Sequence, residues 1–332
     1  MNRRRFLHTA IATTLFSRSF LSSAQSFDLI VRGGRVIDPS LHRDSIADIG
    51  IIAGRIAAVA SNIAGSAAQE IDASGKLVMP GLIDIHAHYG QNAEGAHICL
   101  SDGVTGWIDG GSGGADNIDD IVAIARSAPQ PARALLNIGR QGVLPDGDTA
   151  DLSLANVEAA KAAIARNRDY VIGVKARLTS GVTANDVEVL RRAQEAASYF
   201  NLPVMIHMGQ SETSMGELVK LLKPGDIVTH MYAPPPNAII DSNGQIFPEI
   251  LEARRRGIWF DMANGRIDHL RWNTFDAIMA TGFWPDTVST DGFYNSRSVP
   301  GVVDLPNIMS KLLNFGGMSL NDVVASSSLN AS

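Results

Sequence analysis

From Gly81 to the last residue, apolar runs of four or five residues alternate with helix-length segments, and this alternation limits the possible folds more than any other feature. Short runs without a polar alternate face are buried on both sides, the pattern of a parallel sheet covered by helices. Eight runs read as strands, at residues 82–85, 106–109, 134–138, 171–174, 203–206, 226–229, 258–261 and 287–290, with helices expected over 117–127, 153–167, 184–200 and 247–256. The 252 residues from Gly81 to Ser332 fit the ~250 typical of an α/β (β/α)8 TIM barrel. No Gly-x-Gly-x-x-Gly run follows the first strand, which argues against a doubly wound, dinucleotide-binding sheet.

Ahead of the barrel the text changes. Residues 1–24 carry Arg3-Arg4-Arg5-Phe6-Leu7, a short apolar stretch and Ser22-Ser23-Ala24, which together read as a twin-arginine-type signal peptide cleaved after Ala24. The expectation is an exported, periplasmic chain with no stable membrane anchor once the leader is removed. Residues 25–80 read as part of a small β domain: strands at 27–32 and 35–38 around a Gly33-Gly34 turn, then 49–52, 55–59, 70–72 and 76–79, in an antiparallel sheet.

With 28 Lys+Arg against 34 Asp+Glu, the chain has a formal charge of −6, which gives no pull toward nucleic acid. Its single cysteine, Cys99, excludes an internal disulfide and a thiolate metal cluster. Any metal therefore sits on His, carboxylate or modified Lys, and the expected partner is a small molecule.

A barrel builds its active site at the C-terminal ends of its strands. There, strand one ends in His86-Ala87-His88, strand four in Lys175, strand five in His207, strand six in His230 and strand eight in Asp291. Two imidazoles separated by one residue share one side of a strand and can hold one divalent cation. His207 and His230 would hold a second. A neutral Lys175, once it reacts with CO2, supplies the anionic carbamate that can bridge two cations. Desolvation and nearby cations favour that neutral state. Asp291 can ligate, orient the attacking hydroxide and carry its proton to a leaving group.

The sequence Gly81-Leu82-Ile83-Asp84-Ile85-His86-Ala87-His88, with Gly173-Val174-Lys175-Ala176-Arg177 and Ser289-Thr290-Asp291, resembles the amidohydrolase superfamily. The segments Thr229-His230-Met231-Tyr232, 237–241 and 305–311 narrow the resemblance to the amidohydrolase/deacetylase metallohydrolases, a dihydroorotase-related branch. That resemblance implies two divalent cations, commonly zinc, with His86, His88 and Asp291 on one, His207 and His230 on the other, and carbamylated Lys175 between them. It implies hydrolysis, by a metal-bridging hydroxide, of a non-peptide C–N bond of the N-acyl, deacetylase type or of a related ester. A cyclic amide, as in dihydroorotases or hydantoinases, is the second reading, and a catalytically silent ligand-binding barrel the third.

Two departures from the branch stand out. Where its members carry Phe-Asp-Val-Gly-His-Gly, this chain has Phe260-Asp261-Met262-Ala263-Asn264-Gly265, so that Asn264 replaces a substrate-contacting histidine. His269, farther along that loop, could stand in for it. The family also runs on past the equivalent of Ser332 into strands that complete the small β sandwich, so an incomplete small domain or a homo-oligomer covering the gap is expected. Three further features are read as non-catalytic: Asp84 as a partner of a ligand histidine, Gly110-Gly111-Ser112-Gly113-Gly114 as a flexible rim loop, and Arg254-Arg255-Arg256 as a solvated helix end.

Overall fold

The computed structural model describes residues 26–236, 238–265, 269–298 and 304–332. The expected leader, residues 1–24, lies outside them. The described chain divides into two compact units, one of residues 26–36 and Ser45–Val78, the other of Ile37–Asp44 and Met79–Ser332.

The smaller unit is one five-stranded sheet. Strands β1 (Phe27–Asp38), β2 (Arg43–Ile52), β3 (Arg55–Ala60) and β4 (Ala67–Asp72) take the order β3-β2-β1-β4, and β5 (Leu77–Val78) also pairs with β1. The sheet is mixed rather than antiparallel, since β4 and β5 both run parallel to β1 while β2 and β3 are antiparallel. Nor does Gly33-Gly34 make the expected turn; β1 continues through it. Buried Asp48 accepts hydrogen bonds from Gly33 N at 2.9 Å, Ile63 N at 3.0 Å and Arg32 Nη1 at 3.0 Å, which pins the strand there with Gly33 in the left-handed region at φ +66°.

The larger unit follows the alternation read from the sequence. Seven parallel strands lie in sequence order: β6 (Leu82–Ala87), β7 (Val104–Asp109), β8 (Ala132–Asn137), β9 (Val171–Leu178), β10 (Val204–Met208), β11 (Ile227–Thr229) and β12 (Trp259–Asp261). The eighth expected strand is not a regular one. Its residues nevertheless bond to both outer strands: Met262 N donates to Thr287 O at 3.0 Å, and Asp291 N donates to His86 O at 2.7 Å. Between and after the strands run α1 (Ala93–Ser101), α2 (Ile118–Ser127), α3 (Val157–Arg166), α4 (Asp186–Ser198), α5 (Met215–Leu221), α6 (Pro248–Arg255), α7 (Trp272–Ala280), α8 (Leu305–Asn314) and α9 (Leu320–Ser326). Asn156, Asn185, Ser214, Asp304 and Ser319 cap their helices with side-chain oxygens. Among the described residues, no helix is long and apolar enough to cross a membrane.

One file of inward side chains explains how a single strand serves both core and site. Ile85, Leu135 and Met205 cluster with Ile108, Ile172 and Ile227 at one end of the sheet's inner face. Two residues further along, Leu135 gives way to Asn137, Met205 to His207, Ile227 to Thr229 and Trp259 to Asp261, because strand side chains repeat with period two. In β6 the register against β7 shifts between Asp84 and Ala87, which re-aims the strand where His86 begins the site.

The arginine run is not a solvated end. Arg254 donates to Trp284 O at 2.6 Å, pairs with Asp286 at 3.1 Å and lies 3.6 Å over the Phe283 ring, while Arg256 donates to Leu222 O at 3.1 Å. Only Arg255 extends into solvent. Gly257 ends the helix, and the neighbouring cations satisfy carbonyls that would otherwise be left unpaired.

Candidate metal centre

The six residues singled out from the sequence converge at one end of the parallel sheet. They line a cavity of about 640 Å³ together with Val143, Leu144, Arg177, Gln210, His269 and Phe293, except that His230 lies just beneath its surface, fully buried. Lys175 sits within β9 rather than at its end, since that strand runs on to Leu178. Its side chain is buried, with Nζ 3.0 Å from His86 Nε2 and 3.3 Å from Met205 Sδ.

Two clusters share the cavity floor. Asp291 Oδ1 lies 3.1 Å from His88 Nε2 and 3.5 Å from His86 Nε2, so these three donors face one point. His207, His230 and His269 form the second, with ring centroids 4.3 Å apart for His207–His230 and 3.9 Å for His230–His269. His230 and Asp291 reach these positions with φ of +66° and +53°, values uncommon for residues with a side chain. Such strain concentrates at functional sites.

Hydrogen bonds away from the cavity set which nitrogen of each ring faces it. Thr229 Oγ1 donates to Asp261 Oδ2 at 2.7 Å and therefore accepts from His86 Nδ1 at 2.9 Å. Ser112 Oγ donates to Asp109 Oδ2 at 2.8 Å and accepts from His88 Nδ1 at 2.7 Å. His230 Nδ1 donates to the carbonyl of Ala263 at 2.9 Å. In all three rings Nδ1 carries the proton and Nε2 turns a lone pair to the site. The Nε2 of His230 is fully buried and has no hydrogen-bond partner among the described residues, a costly state that a bound cation would relieve.

The electrostatics match this arrangement. Burial, with a smaller push from nearby Arg177, brings the Lys175 ammonium down to about 7 against the opposing pull of Asp291, Asp261 and Asp109. Burial likewise holds His86, His207 and His230 well below the ordinary imidazole range. Burial alone would raise Asp291, but the neighbouring imidazoles, led by His269 with Nδ1 3.0 Å from Oδ2, outweigh it and hold this carboxyl well below its usual range. Neutral imidazoles, a readily deprotonated lysine and an ionised carboxylate make a donor set that fits divalent cations.

Glycines admit this density of side chains. At Gly111 (φ +94°) a Cβ would lie 2.5 Å from Lys175 Cβ, so the rim loop is a packing surface for the lysine rather than loose chain. Asp84 partners a ligand histidine through its backbone, accepting from His86 N at 3.3 Å, and accepts from Thr290 Oγ1 at 2.6 Å, joining β6 to the 287–292 segment. Asn264 is buried and accepts from Lys311 Nζ at 2.7 Å. His97 is exposed on α1, outside the cavity lining.

Sequence reasoning missed Thr229, Ser112, Asp109 and Asp261 as partners of the site. Thr229 and Asp261 fall on the same inward file as His207, which was the available signal; the Ser112–Asp109 pair left none.

Comparison with known proteins agrees with this geometry. The profile of the amidohydrolase family matches residues 77–332. A deacetylase of Enterococcus faecalis is 29% identical over 297 residues, spanning 86% of this chain and 78% of its own length. Among solved structures, an adenine deaminase superposes with a TM-score of 0.82 at 28% identity, covering 92% of this chain and 83% of that one. A dihydroorotase superposes with a TM-score of 0.78 at 25% identity, covering 91% and 82%. With the family profile matched across the whole sheet that carries the His–Lys–Asp cluster, this chain belongs to the amidohydrolase family and is a hydrolytic enzyme.

Proposed function

We propose that the chain hydrolyses a non-peptide C–N bond of the N-acyl, deacetylase type, or a related ester, at a two-cation centre within a closed eight-unit barrel, and that it works in the periplasm. The observation that carries this reading is the convergence of His86, His88, Lys175, His207, His230 and Asp291 on one small-molecule-sized cavity. His86, His88 and Asp291 would hold one divalent cation, His207 and His230 the other, and Lys175, as a CO2-derived carbamate, would join them. Zinc suits this donor set. Cations held there would supply Lewis-acid polarisation of the substrate carbonyl and acidify the attacking water.

The chain's own residues supply the rest. Asp291, kept ionised by its surroundings with His269 foremost, accepts a proton from the attacking water at a carboxylate oxygen and returns it to the departing nitrogen or oxygen. Arg177 Nη1, held 2.8 Å from Asp148 at the cavity wall, offers the anionic end of an N-acyl amino acid a charge-assisted partner. Val143, Leu144 and Phe293 cover the apolar part of the substrate.

Asp291→Asn is expected to lower kcat by roughly 10²- to 10⁴-fold, the range of one general acid–base group. A turnover assay on an N-acetyl amino acid, an acetate ester and a hydantoin checks both role and substrate. Hydantoin as the preferred substrate would favour the cyclic-amide reading instead, and unchanged turnover in the variant would remove Asp291 from the mechanism.

A further inference from the structure

We infer that His269 is a third protein ligand of the second cation, so that in this chain the second site holds its metal without help from a Lys175 carbamate. The inference rests on the two-cation reading above and adds a ligand to it.

The loop after β12 delivers a third imidazole to the pair formed by His207 and His230. A donor nitrogen of each of the three rings lies within 4.8 Å of the others. The His269 ring stacks on His230 with centroids 3.9 Å apart and lies 5.0 Å from His207. The ring is placed by local structure rather than by chance contact. Gly265 (φ +48°) passes so close that a Cβ there would lie 2.0 Å from His269 Nδ1 and 2.6 Å from Asp291 Oδ2. His269 Nδ1 is in turn 3.0 Å from Asp291 Oδ2, which ties the loop to the carboxylate between the clusters.

A second, independent observation points to a bound cation. His230 is fully buried, its Nδ1 is committed to the Ala263 carbonyl, and its Nε2 has no hydrogen-bond partner among the described residues. Lys175, the other source of a ligand, lies toward the first cluster, with Nζ 3.0 Å from His86 Nε2. Three imidazoles with one open position are a sufficient set for a divalent cation that must also meet substrate. The carbamate then joins two occupied sites instead of creating the second one.

Equilibrium dialysis of the full chain against Co²⁺, with bound metal read by elemental analysis, tests the assignment in bicarbonate and in CO2-free buffer. The expected result is two cations per wild-type chain in both buffers, and two in Lys175→Met. His269→Asn is expected to keep two in bicarbonate, which also shows that it folds. In CO2-free buffer its second Kd is expected to rise by about a hundredfold or more, at least what loss of an outer partner of a ligand costs. Wild type falling to one cation without bicarbonate would overturn the inference and leave the two-cation centre standing, and so would His269→Asn matching wild type there. Fewer than two cations in bicarbonate would overturn the two-cation centre, and this inference with it.

Discussion

The Nδ1 atoms of His86 and His88 each reach a hydroxyl that donates onward to a buried carboxylate, through Thr229 to Asp261 and through Ser112 to Asp109. These relays set the tautomer before any cation arrives, so a cation meets lone pairs that need no rearrangement. Thr229→Val keeps the shape and removes the hydroxyl. It is expected to weaken the cation bound at His86 by roughly 10- to 100-fold, measured by competition with a chromophoric chelator. Cys99 makes the opposite case, of a reactive residue silenced by its surroundings. It is fully buried on α1, accepts from Gln130 Nε2 at 3.1 Å and has its thiol pushed up to about 12 by burial. The native chain at pH 8 is expected to resist a thiol reagent that labels the urea-unfolded chain at once.

At the scale of elements, the period of a strand explains why the same segments build the core and the site. Met205 and His207 differ by two positions and so share the inner face, one in the apolar floor and one in the centre. The loop after β7 shows the reverse dependence, of a loop set by its neighbour. Gly111→Ala places a Cβ 2.5 Å from Lys175 Cβ at φ +94°, combining a clash with backbone strain. A loss of about 1–3 kcal/mol is expected, read as a lower urea midpoint, together with a lower metal content because Lys175 must move.

For the whole molecule, the buried centre links folding to pH. In the metal-free, CO2-free chain burial holds Lys175 at about 7 against an ordinary 10.5. Between these values the unfolded chain binds a proton that the folded chain does not, so the Lys175 contribution to stability rises with pH across that window and is lost as pH falls through it. Lys175→Met removes this contribution and leaves the other titrating groups in place. The stability of wild type relative to the variant, followed by urea midpoints from pH 7 to 10.5, is therefore expected to climb with pH. A flat difference would mean that Lys175 is already paired or modified.

The sequence by itself determined the parallel alternation and picked out the six polar residues that meet at one end of the sheet, because strand burial and side-chain period are properties of neighbours along the chain; it did not show that β9 runs on past Lys175 to Leu178. It misread Gly33-Gly34 and the Arg254–Arg256 run for the same reason: their partners, Asp48 in one case and Trp284, Asp286 and Leu222 in the other, lie well apart from them in sequence. Only the tertiary structure decided which nitrogen of each histidine faces the site, since His86 and Thr229 are 143 positions apart. It also decided that Asp84 joins β6 to Thr290 across 206 positions, and that His269 enters the centre from a loop with no strand period to announce it. Periodicity specifies a face, but hydrogen-bond relays and close glycine contacts exist only once distant strands lie side by side.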